Sequence, residues 1–321
     1  MQGMTAKLYQ HLIAFNQALT FLSRLRLPFV PLSITNLPPP NTPCAGPCEA
    51  EPANQIKIQI ENQAPEHSPI QTPTHLGAQP DAQPDAQAEQ EASPQSGPQS
   101  DLQGMVIFFP LVGMLLGALA VLPLWLGLGS GYPALQALIF LSLTVWLSRG
   151  LHWDGLADLL DACASNASGE KFQAILKDHH LGAIGALGLM LALLVNLTAL
   201  YYLAQQRQWL LLIWSAGAGQ LAAFALASFA LPSPTASLGK IFAVAKLKLC
   251  LCLWLPLLLL SGAILFNWQF SLVALVLVLG AAFYLACLAK KHGGYNGDFL
   301  GAVILLGQMA ALLAALCFKA S

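Results

Sequence analysis

Three aspartates recur at helical spacing in the segment GLHWDGLADLLD, residues 150–161. On an α-helix, Asp154, Asp158 and Asp161 fall within an arc of roughly 60° and so share one face. The carboxylates repel one another, and the segment contains no lysine or arginine to pair with them. Because Mg²⁺ is held by a few carboxylates together with substrate phosphates, the pattern favours a magnesium site over its alternative, a solvated polar face.

A second polar motif, ILKDHHLGAIG at residues 175–185, directly precedes an apolar stretch. Asp178 is a candidate for the same metal site. Lys177 and His180 offer donors for phosphate oxygens. On this motif alone, a charged flank that anchors a transmembrane helix is about as good an interpretation.

A third motif, KKHGGYNGD at residues 290–298, is rich in glycine. Around Asn296, the glycines at positions 293, 294 and 297 would let backbone amides approach an anion closely. A helix that begins near Asp298 would add its positive end to such a site, although this aspartate is equally explained as a helix cap. The three motifs together predict a pyrophosphate site whose Mg²⁺ is bound by carboxylates. The candidate ligands are Asp154, Asp158, Asp161, Asp178 and Asp298.

The elements that must position these residues are transmembrane helices. The 321 residues are 56% hydrophobic and 9% charged, whereas soluble domains carry about 25% charged residues. Seven apolar stretches approach the length of about 20 residues that crosses a bilayer. They are Met105–Leu128, Pro133–Leu147, Leu181–Leu203, Trp209–Leu231, Leu247–Phe266, Phe270–Leu288 and Phe299–Phe318. The sequence therefore predicts an all-α polytopic membrane protein with about seven transmembrane helices, enclosed in membrane lipid.

The remaining chain divides into two segments that precede this transmembrane catalytic domain, residues 104–321. Residues 1–35 contain apolar residues at helical spacing over Leu8–Leu22, which predicts an amphipathic helix on the membrane or against the bundle. Arg24 follows that helix, either as a phosphate clamp or as an interfacial anchor. Residues 36–103 are rich in Pro, Gln, Ala and acids, a composition that predicts a disordered insert.

The distribution of charged residues along the chain predicts the orientation of the protein in the membrane. With the amino terminus in the cytoplasm and seven spans, twelve of the fourteen lysines and arginines, and all fifteen acids, lie on the cytoplasmic side. This agrees with the positive-inside rule and predicts a site that faces the cytoplasm from the inner membrane. The net charge of −1 provides no basic footprint for nucleic acid.

The motifs FLSRLRLP, FFPLVGMLLGAL, LHWDGLADLLDA, ILKDHHLGAIGALGL and GGYNGDFLGA stand in this order along the chain. In order and spacing they resemble the cobalamin synthase family, adenosylcobinamide-GDP ribazoletransferase. The resemblance covers residues 8–32 and 104 to the end. Several positions depart from the family pattern. His180 stands where relatives have an arginine, Asn296 where they have a threonine, and Gly219-Gln220 where they have a Ser-Arg-like pair. Trp153 and Ala162 also differ from the pattern.

The resemblance implies an Mg²⁺-dependent reaction of adenosylcobinamide-GDP with α-ribazole or its 5′-phosphate. The products are adenosylcobalamin or its phosphate, and GMP. It implies that Asp154 and Asp158 act in catalysis through the metal, and that Asp178 is a further ligand or the base. Lys177, His180 and the loop at 293–297 would hold the diphosphate. A homo-oligomer and a complex with other enzymes of cobalamin assembly are both compatible with the sequence.

Two other functions remain open at this stage. A CDP-alcohol phosphotransferase shares spans, Mg²⁺ and aspartates, but its pattern carries an arginine that is missing after Asp154-Gly155. A cation transporter is expected to place ionisable residues in the middle of its spans. Here the acids cluster at one boundary instead.

Overall fold

The computed structural model describes residues 2–23, 104–178, 180–234, 236, 242 and 247–318. Within these residues the secondary structure is helical. The helices, numbered along the chain, are α1 (Gln2–Leu22), α2 (Phe109–Trp125), α3 (Pro133–Leu147), α4 (Leu151–Ala164), α5 (Glu170–Ile175), α6 (Ala183–Gln205), α7 (Trp209–Phe229), α8 (Leu247–Leu265), α9 (Trp268–Lys291) and α10 (Gly297–Cys317). The predicted insert at 36–103 and the predicted phosphate ligand Arg24 lie outside the described residues.

Five helices, α6 to α10, are long and apolar enough to cross a membrane. This confirms the prediction of an all-α polytopic membrane protein, but not the count of seven spans. In place of the first predicted span, the structure has the 17-residue helix α2. Pro110 lies in the first turn of this helix, and Gly127, just after its end, has a positive φ of 96°. The second predicted span is interrupted.

The interruption separates α3 from α4, which form an angle of 86°. Arg149 and Gly150 both have positive φ, 59° and 72°, a conformation that a continuing helix does not allow. If the pair counts as one broken span, the described residues contain six. The acidic motif therefore lies on a separate helix, α4, after the bend.

The bundle is centred on α7, which packs between α2 and α10. Contact with α10 is close because Gly219 and Gly307 remove side chains from the interface: a Cβ on Gly219 would lie 2.6 Å from the carbonyl oxygen of Ile304. Small residues at such spacing are the usual means of close helix packing in membranes. On another side, the Trp214 indole donates to the carbonyl oxygen of Leu258 (3.2 Å) and ties α7 to α8.

The predicted amino-terminal helix is present as α1 and packs against the bundle. Phe15 makes an edge-on contact with Phe108, and Phe21 stacks on Phe109. Leu12 of the predicted apolar face is 43% exposed. Leu19 and Leu22 of the same face are buried, so the predicted apolar face meets the bundle along its carboxyl-terminal half.

Candidate active site

Helix α4, which carries the three aspartates, lies across the amino ends of α10 and α6. Its contact with α10 is made by glycines from both helices. A Cβ on Gly155 would lie 2.7 Å from the carbonyl oxygen of Asp298, and one on Gly301 would lie 2.8 Å from that of Leu151. The segments that carry the predicted ligands on α4 and Asp298 on α10 are therefore in direct contact.

Asp161 joins α4 to α6. Its two carboxylate oxygens accept hydrogen bonds from the backbone amides of Gly182 and Gly185, each at 2.7 Å. These amides belong to the first turn of α6, where donors have no partner within the helix and where the helix dipole favours a negative charge. Asp161 thus caps α6 from a neighbouring helix, a role that sequence analysis missed. Its role as a metal ligand stays a prediction.

The Asp161→Asn variant tests this cap. We expect its free energy of unfolding to fall by about 1–2 kcal/mol, since the charged acceptor of two amide hydrogen bonds is replaced by a neutral one. Thermal or SDS-induced unfolding of the purified protein measures the loss. Glu170→Gln, a change at an exposed acid, is the matched control and should stay within about 0.5 kcal/mol of wild type. Equal stability of the two variants would contradict the capping role.

The glycine-rich loop at 293–297 is held by α5 and by the segment after α7. The Gln173 side-chain amide donates to the carbonyl oxygens of His292 (3.0 Å) and Gly294 (3.2 Å). On the other side, the Tyr295 amide donates to Leu231 and the Ser233 amide donates to the Tyr295 carbonyl. The loop is fixed by protein contacts at both edges.

Several loop amides that were predicted to bind an anion already have protein acceptors. The Gly294 amide donates to the Ala289 carbonyl at 2.8 Å. The Asn296 side-chain oxygen accepts from the amides of Asp298 (3.1 Å) and Phe299 (3.2 Å), so it caps α10. The same side chain donates to the Asp298 carboxylate at 2.7 Å. Asn296 therefore orients Asp298, and phosphate binding by this loop stays a prediction.

Two features of this loop, the stacking of His292 and the burial of Tyr295, were not found in the sequence. The His292 ring stacks on Phe172 with centroids 3.9 Å apart. Burial and the nearby charge of Lys291 lower the pKa of His292, which keeps the ring neutral at pH 7. Burial raises the pKa of Tyr295 to about 12, so its hydroxyl stays protonated. Nothing in the motif spacing signalled these contacts, because they depend on where α5 packs.

The second motif presents its polar side chains to solvent between α5 and α6. The His180 ring nitrogen Nδ1 lies 2.6 Å from Asp178 Oδ1, and the Asp178 carboxylate also accepts from the His180 amide. Lys177 is exposed. This hydrogen bond and the charge of Asp178 raise the pKa of His180 above 6.5.

A titration tests this pairing. The His180–Asp178 ion pair should be complete below about pH 6.5 and be lost as pH rises through the raised pKa of the histidine. In Asp178→Asn we expect the His180 pKa to fall towards its ordinary value, as followed by the ring-proton shifts of specifically labelled histidine. An unchanged His180 titration in that variant would show that the pair does not form in the membrane protein.

The five predicted metal ligands do not form one ready-made cluster. In the part of the chain that the structure describes, no three His, Cys, Asp or Glu side chains are grouped as a metal site. Asp161 faces the α6 amides and Asp178 faces His180. Asp154 is exposed, while Asp158 and Asp298 are half-buried on the two helices in contact.

The region from α2 to α10 is similar to known proteins. The family model described as cobalamin-5-phosphate synthase matches residues 91–316. The chain belongs to this family. The matched region of this cobalamin-5-phosphate synthase family member contains the three motifs described above. No solved structure matches the chain significantly.

Curated relatives carry one name, adenosylcobinamide-GDP ribazoletransferase. The protein of that name from Nitratidesulfovibrio vulgaris (strain DSM 19637 / Miyazaki F) is 35% identical over 213 residues, 66% of this chain and 85% of the relative. That from Chlorobaculum tepidum is 34% identical over 223 residues, 66% and 85% of the two chains. That from Escherichia coli (strain K12 / DH10B) is 33% identical over 231 residues, 66% and 87%.

Proposed function

We propose that this protein is an adenosylcobinamide-GDP ribazoletransferase that completes the nucleotide loop of cobalamin. The observation that carries the proposal is the family match over residues 91–316, which includes the acidic helix α4 and both helices that it crosses. The substrates are adenosylcobinamide-GDP and α-ribazole or its 5′-phosphate. The products are adenosylcobalamin or its 5′-phosphate, and GMP.

The reaction is a transfer of a substituted phosphate group. A ribose hydroxyl of α-ribazole attacks the phosphorus nearest the cobinamide, and a new P–O bond forms. The P–O bond to the bridging oxygen breaks, and GMP leaves with that oxygen. The hydroxyl proton passes to a carboxylate, for which Asp178, exposed on the connection between α5 and α6, is the candidate. Positioning and charge neutralisation supply most of the rate enhancement in such transfers.

The carboxylates fit the chemistry of Mg²⁺, although they form no closed cluster. Mg²⁺ takes oxygen ligands and is usually bound by one or two carboxylates together with substrate phosphates. Asp154, Asp158 and Asp298 are the candidate ligands in this proposal, because the close contact at Gly155 brings the backbones of α4 and α10 together. Bound there, Mg²⁺ would neutralise charge on the diphosphate. Asp161 is a less suitable ligand because both of its oxygens already bind amides.

Several exposed groups on the α5–α6 connection and in the glycine-rich loop are the candidates for binding the rest of the diphosphate. Lys177 and His180 are exposed on the α5–α6 connection, and Gly293 is exposed at the start of the loop. The raised pKa of His180 favours its cationic form, which suits it to the position where relatives have an arginine. Arg24 is a further candidate in this proposal.

The site faces the cytoplasm in this proposal, and the protein resides in the cell inner membrane. The support is the distribution of positive residues along the chain and the position of α4 at the end of the bundle where α6 and α10 begin. Both substrates are polar molecules that would reach this end from water.

The experiment is a turnover assay with the full chain in lipid nanodiscs. Adenosylcobinamide-GDP and α-ribazole are supplied with Mg²⁺, and GMP and the cobamide product are measured by liquid chromatography and mass spectrometry. We expect equal amounts of the two products, and none after chelation of divalent ions. A parallel reaction with a CDP-alcohol and its acceptor should give nothing. Turnover of the CDP-alcohol alone would overturn the proposal in favour of a phosphotransferase.

A further inference from the structure

A small polar cavity lies inside the bundle, next to the break between α3 and α4. Its volume is about 50 Å³. Its walls come from α2, α3, α4, α6, α7 and α10. Six polar side chains line it: Thr144, Ser148, His152, Asn196, Gln220 and Gln308. This number of polar groups within apolar transmembrane helices is unusual, since polar side chains at membrane depth are costly and tend to serve a function.

Gln220 of α7 has an unmet hydrogen-bonding requirement at this cavity. Its side chain is 2% exposed, and its amide oxygen has no hydrogen-bond partner within the described residues. Gly113 of α2 makes space for the Gln220 stem, because a Cβ on Gly113 would lie 2.7 Å from its Cγ. A buried amide oxygen without a partner costs about 1–3 kcal/mol. A ligand that donates hydrogen bonds is therefore expected beside it.

The cavity also borders the only described part of the α3–α4 pair that is not helical. Of the residues that line the cavity, Thr144 and Ser148 precede the break in the chain and His152 follows it. Between them, Arg149 and Gly150 have positive φ, and their amides donate to the carbonyl oxygens of Trp146 and Val145 in a turn. Non-helical backbone at membrane depth is tolerated where it is buried in protein or where it lines a water-filled cavity.

We infer that this cavity binds a cluster of ordered water molecules that bridges the polar side chains on both sides of the break and fixes the amino end of α4. The volume suits about three waters, at about 15 Å³ of accessible volume for each. A water donates to the Gln220 amide oxygen, and its neighbours bridge the amides of Asn196 and Gln308 to the His152 side. The lining has both donors and acceptors and no carboxylate, which suits water better than a cation. His152 lies two residues before Asp154, so the cluster positions the acidic helix from within.

Radiolytic footprinting tests this inference without any enzymatic assay. A short X-ray pulse converts bound water into hydroxyl radicals, which label neighbouring side chains before they diffuse. Trp153 and Phe140 line the cavity and are 8% and 2% exposed. Trp254 and Phe270 are 8% and 0% exposed and lie elsewhere in the core. We expect the cavity pair to be labelled several-fold faster than its matched pair in wild-type protein.

Two variants test whether Gln220 binds the water cluster. Gln220→Leu should slow the labelling of Trp153 towards the rate of Trp254. The control Gln136→Leu removes a buried glutamine whose amide bonds to the Leu128 carbonyl, away from the cavity, and should leave Trp153 unchanged. Labelling of Trp153 and Phe140 as slow as that of the matched pair would overturn the inference, and this comparison needs no variant to fold. Unaltered Trp153 labelling in a folded Gln220→Leu protein would overturn the role of Gln220.

Discussion

Asp154→Asn should lower the turnover of adenosylcobinamide-GDP by at least about a hundredfold, the scale on which removal of one transition-state-stabilising group acts. Asparagine keeps the size of the side chain and removes its charge, so the change acts on the metal and the diphosphate. Asp154 is exposed on α4, and no large change in the free energy of unfolding should accompany the loss. GMP release in nanodiscs and thermal unfolding measure the two quantities.

Glu170→Gln is the matched control for this variant. Glu170 is an exposed acid in the first turn of α5, the helix after α4, and has no place in the proposed site. It should retain wild-type turnover. Retained turnover in Asp154→Asn would remove the acidic helix from the mechanism while leaving the family assignment intact. Loss in both variants would indicate a general effect of surface charge on this end of the bundle.

Much of the fold follows from composition and spacing. Apolar runs of about 20 residues have few alternatives to transmembrane helices, and helices α6 to α10 confirm the predicted spans within a few residues. The aspartate spacing also predicts a helix, and α4 confirms it. The break after α3 was missed because a hydropathy pattern reports length and polarity. It does not report backbone angles such as those of Arg149 and Gly150.

The partners of the polar side chains could not be predicted. Asp161 fits the stripe of Asp154 and Asp158, yet its oxygens are taken by Gly182 and Gly185. The spacing of the glycines on α6 cannot indicate which neighbouring helix reaches its amino end. Gln220 was similarly undetectable as part of a cavity, because six helices have to assemble before its neighbours are defined.

Gly155→Ala should have the second largest effect, through the contact of α4 with α10. A new Cβ would lie 2.7 Å from the carbonyl oxygen of Asp298 and 2.9 Å from its Cα. Both atoms belong to the backbone, so relief requires that one helix shift against the other. We expect the free energy of unfolding to fall by about 1–3 kcal/mol, as for other overpacked sites. Turnover should fall by at least about tenfold, because small displacements of catalytic groups are costly.

Gly280→Ala separates this contact from the general effect of alanine in a helix. Gly280 lies within α9, and a Cβ there would meet no atom within 4 Å. Alanine favours the helix over glycine by about 0.5–1 kcal/mol, so this control should be neutral or slightly more stable, with unchanged turnover. Both variants gain the same helix propensity, and the difference between them measures the α4–α10 contact alone. Equal stability and equal turnover of Gly155→Ala and Gly280→Ala would contradict this expectation. They would show that α10 can shift away from α4 without loss of stability, and that the close contact at Gly155 does not set the position of the acidic helix.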